Sequence, residues 1–441
     1  MGLAERFGNT SRISLLSVFL VANAFIWYFF AARILEEVIN NVAANYFVNL
    51  IMWSLHFAAL ILSTIVGVSL MKRIGRRKLF VVWTMMGTLS PLALLAKNFA
   101  QIPMTMLVSI LFGVSLGLGM PNCMNYFTRL TRAENRGRHG GLIMFFSGLG
   151  LFSLGIINIG SNELSTAILV VWRLSGFVFL FLPKLPKKDD ARGKNVSYGF
   201  VFGQRSFILY LIPWVMFSLV NYLSTPVQFN ILGESQVKFL IIIENALVGL
   251  FAVVGGFLLD YVGRKRIAIA GFVLLGLGFS VLGLYPESIA SWYFYTVVDG
   301  IAWGILLVIF VISIWGDLSY NSSSDKFYAI GVLPFFISKF LQLTMGNFIA
   351  ANVSPYALFS FTGFFLFLAV LPLIYAPETL PEKTMKKREL KKYIEKAQKE
   401  AAKAQKKEAE TAQREDADAE VEFEVNQEDF EEVLKEAEKY Y

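Results

Sequence analysis

The sequence predicts an all-α integral membrane protein of twelve transmembrane helices in two pseudo-symmetric six-helix halves, with a charged helical C-terminal cytoplasmic tail. Three observations carry that reading. The 441 residues are 56% hydrophobic, with a mean hydropathy of +0.56, against roughly 45–50% apolar residues in soluble domains. Apolar runs of about 20 residues, the length that crosses a hydrocarbon core about 30 Å thick, recur twelve times. Lysine and arginine collect in every second loop between those runs, as cytoplasmic loops do.

In chain order the expected spans are 11–32, 44–70, 78–97, 103–127, 138–160, 164–183, 206–230, 237–259, 265–284, 290–315, 328–350 and 355–376. Only the polarity of "NIGSNELST" at 158–166 separates the fifth from the sixth. With the N-terminus inside, the inner loops hold Lys72, Arg73, Arg76, Arg77 and Lys78, then Arg129, Arg132, Arg136 and Arg138, then the basic run from Lys184 to Arg205, then Arg264, Lys265 and Arg266. The outer loops hold few basic residues, among them Arg33 beside Glu36 and Glu37. A missed helix would invert every later loop, so the alternation supports the count and puts both termini on the cytoplasmic side of the cell membrane. The expected domains are residues 1–183, a charged linker 184–205, residues 206–381 and a tail 382–441.

The single cysteine, Cys123, excludes an intramolecular disulfide, and His56 and His139 lie too far apart in sequence to suggest a metal cluster. No cofactor is expected. "MGLAERFGNTSR" lacks a signal-peptide cleavage pattern, so the first apolar run is expected to be a retained helix. No GxxxxGK[ST] run is present to bind a nucleotide.

The chain repeats itself. "MKRIGRRKLF" at 71–80 and "GGFLLDYVGRKRIAIAG" at 255–271 place Gly75 and Gly263 188 residues apart. The next inner loops, "AENRGRHGG" and "SDKFYAIG", set Arg136 and Lys326 190 apart, and "LPKLP" and "APETLP" end the two sixth helices. Near-constant offsets indicate a duplicated six-helix unit, whose halves are related by an axis along the membrane normal with a binding site between them.

Over about residues 8–385 the chain resembles the major facilitator superfamily, in its span count and in "KRIGRRK", "GFLLDYVGRK", "ENRGR" and the "PET" at Pro377–Thr379. The "PET", Trp172–Arg173 and "WGDLSYNSSSDKFYAIG" from Trp315 are most similar to the sugar porter and organic ion branches. The resemblance implies a secondary transporter that moves a small polar organic solute by alternating access as a proton symporter, with spans one, four, seven and ten lining the path. Its partners are then the solute, protons and the lipid bilayer, with no nucleic acid. The chain departs from the sugar porters in having only Gln228 of a glutamine pair on span seven and Ser109 where span four often has Arg, and it lacks the Gly-Pro pair of drug antiporters. An uncoupled facilitator, a proton-driven efflux antiporter and a transporter-like receptor or scaffold acting through the tail remain alternatives. No convergent nucleophile and base suggest an enzyme.

Candidate site residues fall into two groups. Gly75 and Gly263 supply the backbone freedom to reverse direction between helices, and Arg76, Arg77, Arg136, Arg264 and Lys326 anchor the gating loops. Asp260 faces the unfavourable end of a helix dipole and therefore needs a partner, expected to be a helix N-terminus or Arg136 or Arg138. Lys72 stands where the first half would carry the equivalent acid, which predicts an asymmetric gate held mainly by the second-half loop. Within the spans, ionisable residues are functional candidates by default. Asp299, about ten residues into span ten, and Lys339, about twelve into span eleven, fall near the midplane at about 1.5 Å per residue and are expected to face each other. Asp299 and Glu244 are the proton-coupling candidates, and Lys339, Asn23, Asn221 and Gln228 the substrate-binding ones, the three amides because they donate and accept. Trp27, Tyr222 and Trp303 are candidate wall residues, His56 a helix contact, and Arg173 a weaker functional candidate on a peripheral span. The tail reads as a basic Ala/Glu/Lys helix from Glu382 to about Arg414 and then an acidic segment, a solvated extension whose partner, as a regulatory module, is unknown.

Overall fold

The computed structural model describes residues 3–95, 101–156, 162–181, 196–319, 322–380, 429–433 and 435–436. The chain divides into Met1–Leu380 and Pro381–Tyr441. The first unit is helical throughout and holds α1 (Leu3–Val42), α2 (Tyr46–Ile74), α3 (Arg76–Leu95), α4 (Ile102–Leu130), α5 (Ala133–Ile156), α6 (Asn162–Ser175), α7 (Arg205–Leu232), α8 (Glu234–Val262), α9 (Arg264–Leu284), α10 (Ile289–Leu318), α11 (Asp325–Asn352) and α12 (Pro355–Tyr375). Ten of these are long and apolar enough to cross a membrane, which makes this a multi-pass membrane protein. The other two, α5 and α6, take the places of the fifth and sixth expected spans and end or begin beside residues outside the described set. The linker expected at 184–205 lies outside it as far as 195; a short helix Tyr198–Gly203, N-capped by Ser197, leads into α7. The tail's described residues, Asp429–Val433 with Lys435 and Glu436, are helical, and its expected basic helix lies outside the described residues.

Several helices change winding along their length, three of them at chemically legible places. In α4 the helix breaks at Leu118–Gly119 ahead of Pro121, whose ring nitrogen cannot continue the ladder; Trp83 Nε1 donates to the Leu116 carbonyl nearby, at 3.2 Å. In α7, Pro226 cannot donate to the carbonyl of Tyr222, and the helix tightens into a 3₁₀ turn over Asn221–Leu223. In α10 the backbone widens into a π turn over Val308–Ser313. Carbonyls there accept from side chains, Phe310 from Trp315 Nε1 and Ile312 from the Tyr328 hydroxyl, so the widened turn leaves no orphaned acceptor at either place.

The two repeats meet along pseudo-equivalent seams, α5 against α8 and α2 against α11. Glycines make the first seam close. A β-carbon on Gly137 would lie 2.5 Å from the Gly256 carbonyl oxygen, and one on Gly141 2.5 Å from that of Ala252, so helix backbones touch directly. In α4, Gly113 and Gly117 serve the same close approach to α2.

Candidate functional site

A cavity of about 320 Å³ lies between α1, α2, α7, α8, α10 and α11. Asp299 and Glu244 form part of its wall, with their carboxyl groups within hydrogen-bond reach of each other. Packing explains the contact. Gly300 and Gly304 let α10 press onto α8, since β-carbons there would lie 2.6 Å from Leu247 Cβ and 2.7 Å from the Val248 oxygen. The Tyr295 hydroxyl lies 3.1 Å from the Ser224 hydroxyl, and Ser224 donates on to the Asn221 carbonyl at 3.2 Å. Tyr295 thus ties α10 to α7 through Ser224, on the wall that also carries Glu244 and Asp299. Asp299 is 2% exposed, and its Oδ1 finds no donor among the described residues.

Lys339 lines the same cavity but does not pair with Asp299. Its ammonium donates to Gln342 Oε1 at 2.8 Å and stands 5.8 Å from the centre of the Tyr222 ring. In place of the expected acid–lysine pair, Asp299 neighbours Glu244 of α8 and Lys339 bonds to Gln342. Asn221 and Gln228 line the cavity, and Asn221 Oδ1 is buried without a donor. A second cavity of about 180 Å³ shares Glu244, Asn245, Tyr222, Trp303 and Phe335 with the first and extends to Met144 and Ser147 on α5. Glu244 therefore stands on the partition between two cavities.

Asn23 is elsewhere. Its Nδ2 donates to the Trp172 carbonyl at 2.7 Å and to the Ser175 hydroxyl at 3.0 Å, and its Oδ1 accepts from Arg173 Nη1 at 3.0 Å. An amide with those partners fastens α1 to α6 and does not line the cavity, which corrects its assignment as a substrate contact. Trp27 also belongs to that cluster, under the buried Arg173 guanidinium, which lies 4.2 Å from the centre of the Trp83 ring. His56 is buried between the Ser109 carbonyl, 3.0 Å away, and the Tyr28 hydroxyl, 3.3 Å away.

The charged end of the bundle carries a second constellation. Asp260 accepts from the backbone amides of Gly137 and Arg138, both at 2.9 Å, from Arg138 Nε at 3.2 Å and from Arg264 Nη1 at 3.0 Å. The acid at the end of α8 thus meets the first turns of α5, where amide dipoles favour it. Arg264 Nε reaches Asp317 at 2.9 Å, Arg136 pairs with the other oxygen of Asp317, and Arg264 Nη2 donates to the Ala133 carbonyl. Asp260, Arg264 and Asp317 come from the second repeat, Arg136, Gly137 and Arg138 from the first, so the network bridges the halves. Glu378 of the "PET" completes it by capping α9, accepting from the Arg264 amide at 2.8 Å and the Lys265 amide at 3.2 Å.

The remaining gating-loop candidates make contacts of another kind. Gly75 and Gly263 have φ of 81° and 114°, a backbone region that favours glycine. Arg76 lies 5.4 Å from the centre of the Tyr126 ring, Arg77 donates to the Leu180 carbonyl at 3.1 Å, and Lys326 donates to the Val196 carbonyl at 2.6 Å above the Tyr198 ring. Burial, with the Asp325 charge second, raises the Tyr198 phenol above its ordinary range. Arg76 and Arg77 contact their own repeat; the cross-half acid contact is made by Asp260, at the place that Lys72 fills in the first copy. Sequence reading quoted Asp317 and Glu378 only within motifs, named Glu36 only as a loop charge, and gave no role to any of these or to Tyr295. Asp317 carried a signal, an acid ending an apolar span on the side where every neighbouring loop is basic.

No protein-family model matches this sequence, and no curated protein matches it. Solved structures do. One is the proton:xylose symporter XylE bound to 6-bromo-6-deoxy-D-glucose, with a TM-score of 0.64 and 17% identity over 84% of this chain and 96% of that one. A double-tryptophan mutant of XylE gives 0.66 and 17% over 87% and 99%. The chain has the major facilitator fold. The human organic anion transporter MFSD10 (TETRAN) shares it, with a TM-score of 0.61 and 14% identity over 82% of this chain and 99% of that one. The cavity is lined by residues of both repeats, and the ion-pair network bridges them.

Proposed function

We propose that this protein is a secondary transporter that works by alternating access across twelve spans and couples a small polar organic solute to a proton held by Glu244 and Asp299. The observation that carries the reading is the contact between those two carboxyl groups in the wall of a cavity between the repeats. A hydrogen bond between two acids requires one hydrogen for the pair, and a buried pair of this kind is a natural one-proton store. Its position on the partition between two cavities supports proton exchange with either side as the halves rock. The transporter neighbours, one named for proton symport, support the same reading.

In this account the basic end is cytoplasmic, both termini with it, and the Asp260–Arg264–Asp317–Arg136 network is the closed inner gate. The structure then represents an outward-facing or occluded state. Lys339, Asn221 and Gln228 are the remaining solute contacts. Tyr295, which shares the cavity wall with the acid pair, is joined through Ser224 to the 3₁₀ turn of α7 where Asn221 meets the solute. Symport, the coupling expected from the sequence, needs a solute that leaves the pair protonated; exchange needs one that displaces the proton. Uptake into proteoliposomes under imposed pH gradients tests the reading. Gradient-driven accumulation supports it, and equilibration without accumulation under either gradient contradicts the coupling.

A further inference from the structure

The transport reading leaves the solute's chemistry open, and the cavity is specific about it. Nine aromatic side chains line it, and three of them pack as a cluster on the wall that carries Glu244. The Tyr222 ring lies 5.7 Å from Trp303 and 6.3 Å from Phe335, and Trp303 lies 6.4 Å from Phe335, centre to centre. All three also line the second cavity together with Glu244. Rings at that spacing pack on one another, and a ring face that borders the cavity attracts an ammonium group. Lys339 already illustrates the preference, its own ammonium standing over Tyr222.

Charge points the same way. The ionisable wall residues are Glu36, Glu244, Asp299 and Lys339, three acids against one base. Lys339 is held by Gln342 and lies within reach of the Glu36 charge, so it offers little to an anion. The unmet groups of the wall are acceptors, Asp299 Oδ1 and Asn221 Oδ1, and an occupant that satisfies them must donate.

We infer that the solute is an organic cation, a protonated amine, which seats its ammonium between the Glu244–Asp299 pair and the Tyr222–Trp303–Phe335 cluster and displaces the proton the two acids share. The inference rests on the transport reading and sharpens it. One positive charge enters the site and one proton leaves to water, so the occupied and empty cavities carry the same charge, and the coupling is exchange. A cavity of about 320 Å³ lies at the small end of ligand sites, which suits a compact amine.

The test uses the full-length protein in nanodiscs with 2-phenylethylamine as probe and 2-phenylethanol, phenylacetate and D-xylose as controls of matched shape or different charge. Calorimetry in two buffers of different ionisation heat reads both affinity and protons released. The expected result is 2-phenylethylamine binding about thirtyfold or more tighter than 2-phenylethanol. About one proton should be released per amine bound, with apparent affinity falling toward tenfold per pH unit at low pH. Asp299→Asn should abolish proton release, and Glu244→Gln serves if that variant does not fold. Amine binding no tighter than the alcohol, or binding without proton release, overturns the cation assignment, as does tighter binding of phenylacetate or xylose. Gradient-driven xylose uptake after such a result would leave the transporter reading standing with another solute class, so the two failures are separable.

Discussion

Replacing Asp260 by Asn should open the charged end of the bundle without unfolding it. Asp260 is 1% exposed, and its donors include the Gly137 and Arg138 amides, Arg138 Nε and Arg264 Nη1. The Arg264 bond lies within the second repeat and survives separation of the halves; the Arg138 side chain is 44% exposed, so its contact is screened and contributes little. The bonds unique to the closed state are those from the Gly137 and Arg138 amides. An Asn carbonyl keeps one of them and its NH₂ group faces the other. One charge-assisted bond, about 1.5–3 kcal/mol, is therefore lost from the closed state alone, which shifts the opening equilibrium roughly ten- to hundredfold. Spin labels at Arg132→Cys on the first repeat and Arg266→Cys on the second, both exposed, in a Cys123→Ser background, report the separation by double electron–electron resonance. The variant should add a longer-distance population absent from the parent. A folded variant with an unchanged distance distribution would refute the assignment of Asp260 as a clamp.

Three further predictions concern packing and the cavity. Gly137→Ala, whose β-carbon would lie 2.5 Å from the Gly256 oxygen and 2.6 Å from Asp260 Oδ1, should favour the open distance as Asp260→Asn does, by about 1–3 kcal/mol; unchanged distances would show that the seam is slack. Gly263→Ala should lower the unfolding temperature more than Gly75→Ala. Both have positive φ, a strain of about 1–2 kcal/mol, but only at Gly263 does the new β-carbon collide with Glu378 and disturb the cap of α9, while Gly75 has nothing within 4 Å; equal losses would contradict the capping role. Tyr295→Phe removes the hydroxyl that meets Ser224 on the wall shared with the acid pair and should leave solute counterflow intact while displacing the pH profile of net transport; an unchanged profile would break the proposed link to α7.

Much of the fold was legible because hydropathy and charge alternation are long-range signals. Offsets of 188 residues between Gly75 and Gly263 and 190 between Arg136 and Lys326 likewise marked the repeat before any contact was known. The α4 and α7 breaks follow from Pro121 and Pro226, but the π turn in α10 has no proline and is set by donors from Trp315 and Tyr328. At the site, Asp299, Glu244 and Lys339 stood out singly because charge within an apolar run is costly. Their pairing was not legible. Which acid Asp299 meets depends on how far Gly300 and Gly304 let α10 sink onto α8, a distance that span depths cannot give. Asn23 misled for the same reason, since depth does not say which face of α1 looks at Trp172 and Arg173.

The central claim is that Glu244 and Asp299 carry a proton that drives solute movement. Its most direct test is uptake of labelled 2-phenylethylamine and D-xylose into proteoliposomes under pH gradients of either direction, wild type beside Asp299→Asn and Glu244→Gln. The account predicts that an outward-directed proton gradient drives wild type to concentrate 2-phenylethylamine beyond the level reached in protein-free liposomes, while at least one variant still exchanges it but no longer concentrates it. A wild type that equilibrates these solutes yet concentrates neither under any gradient would make the protein a facilitator and the acid pair structural.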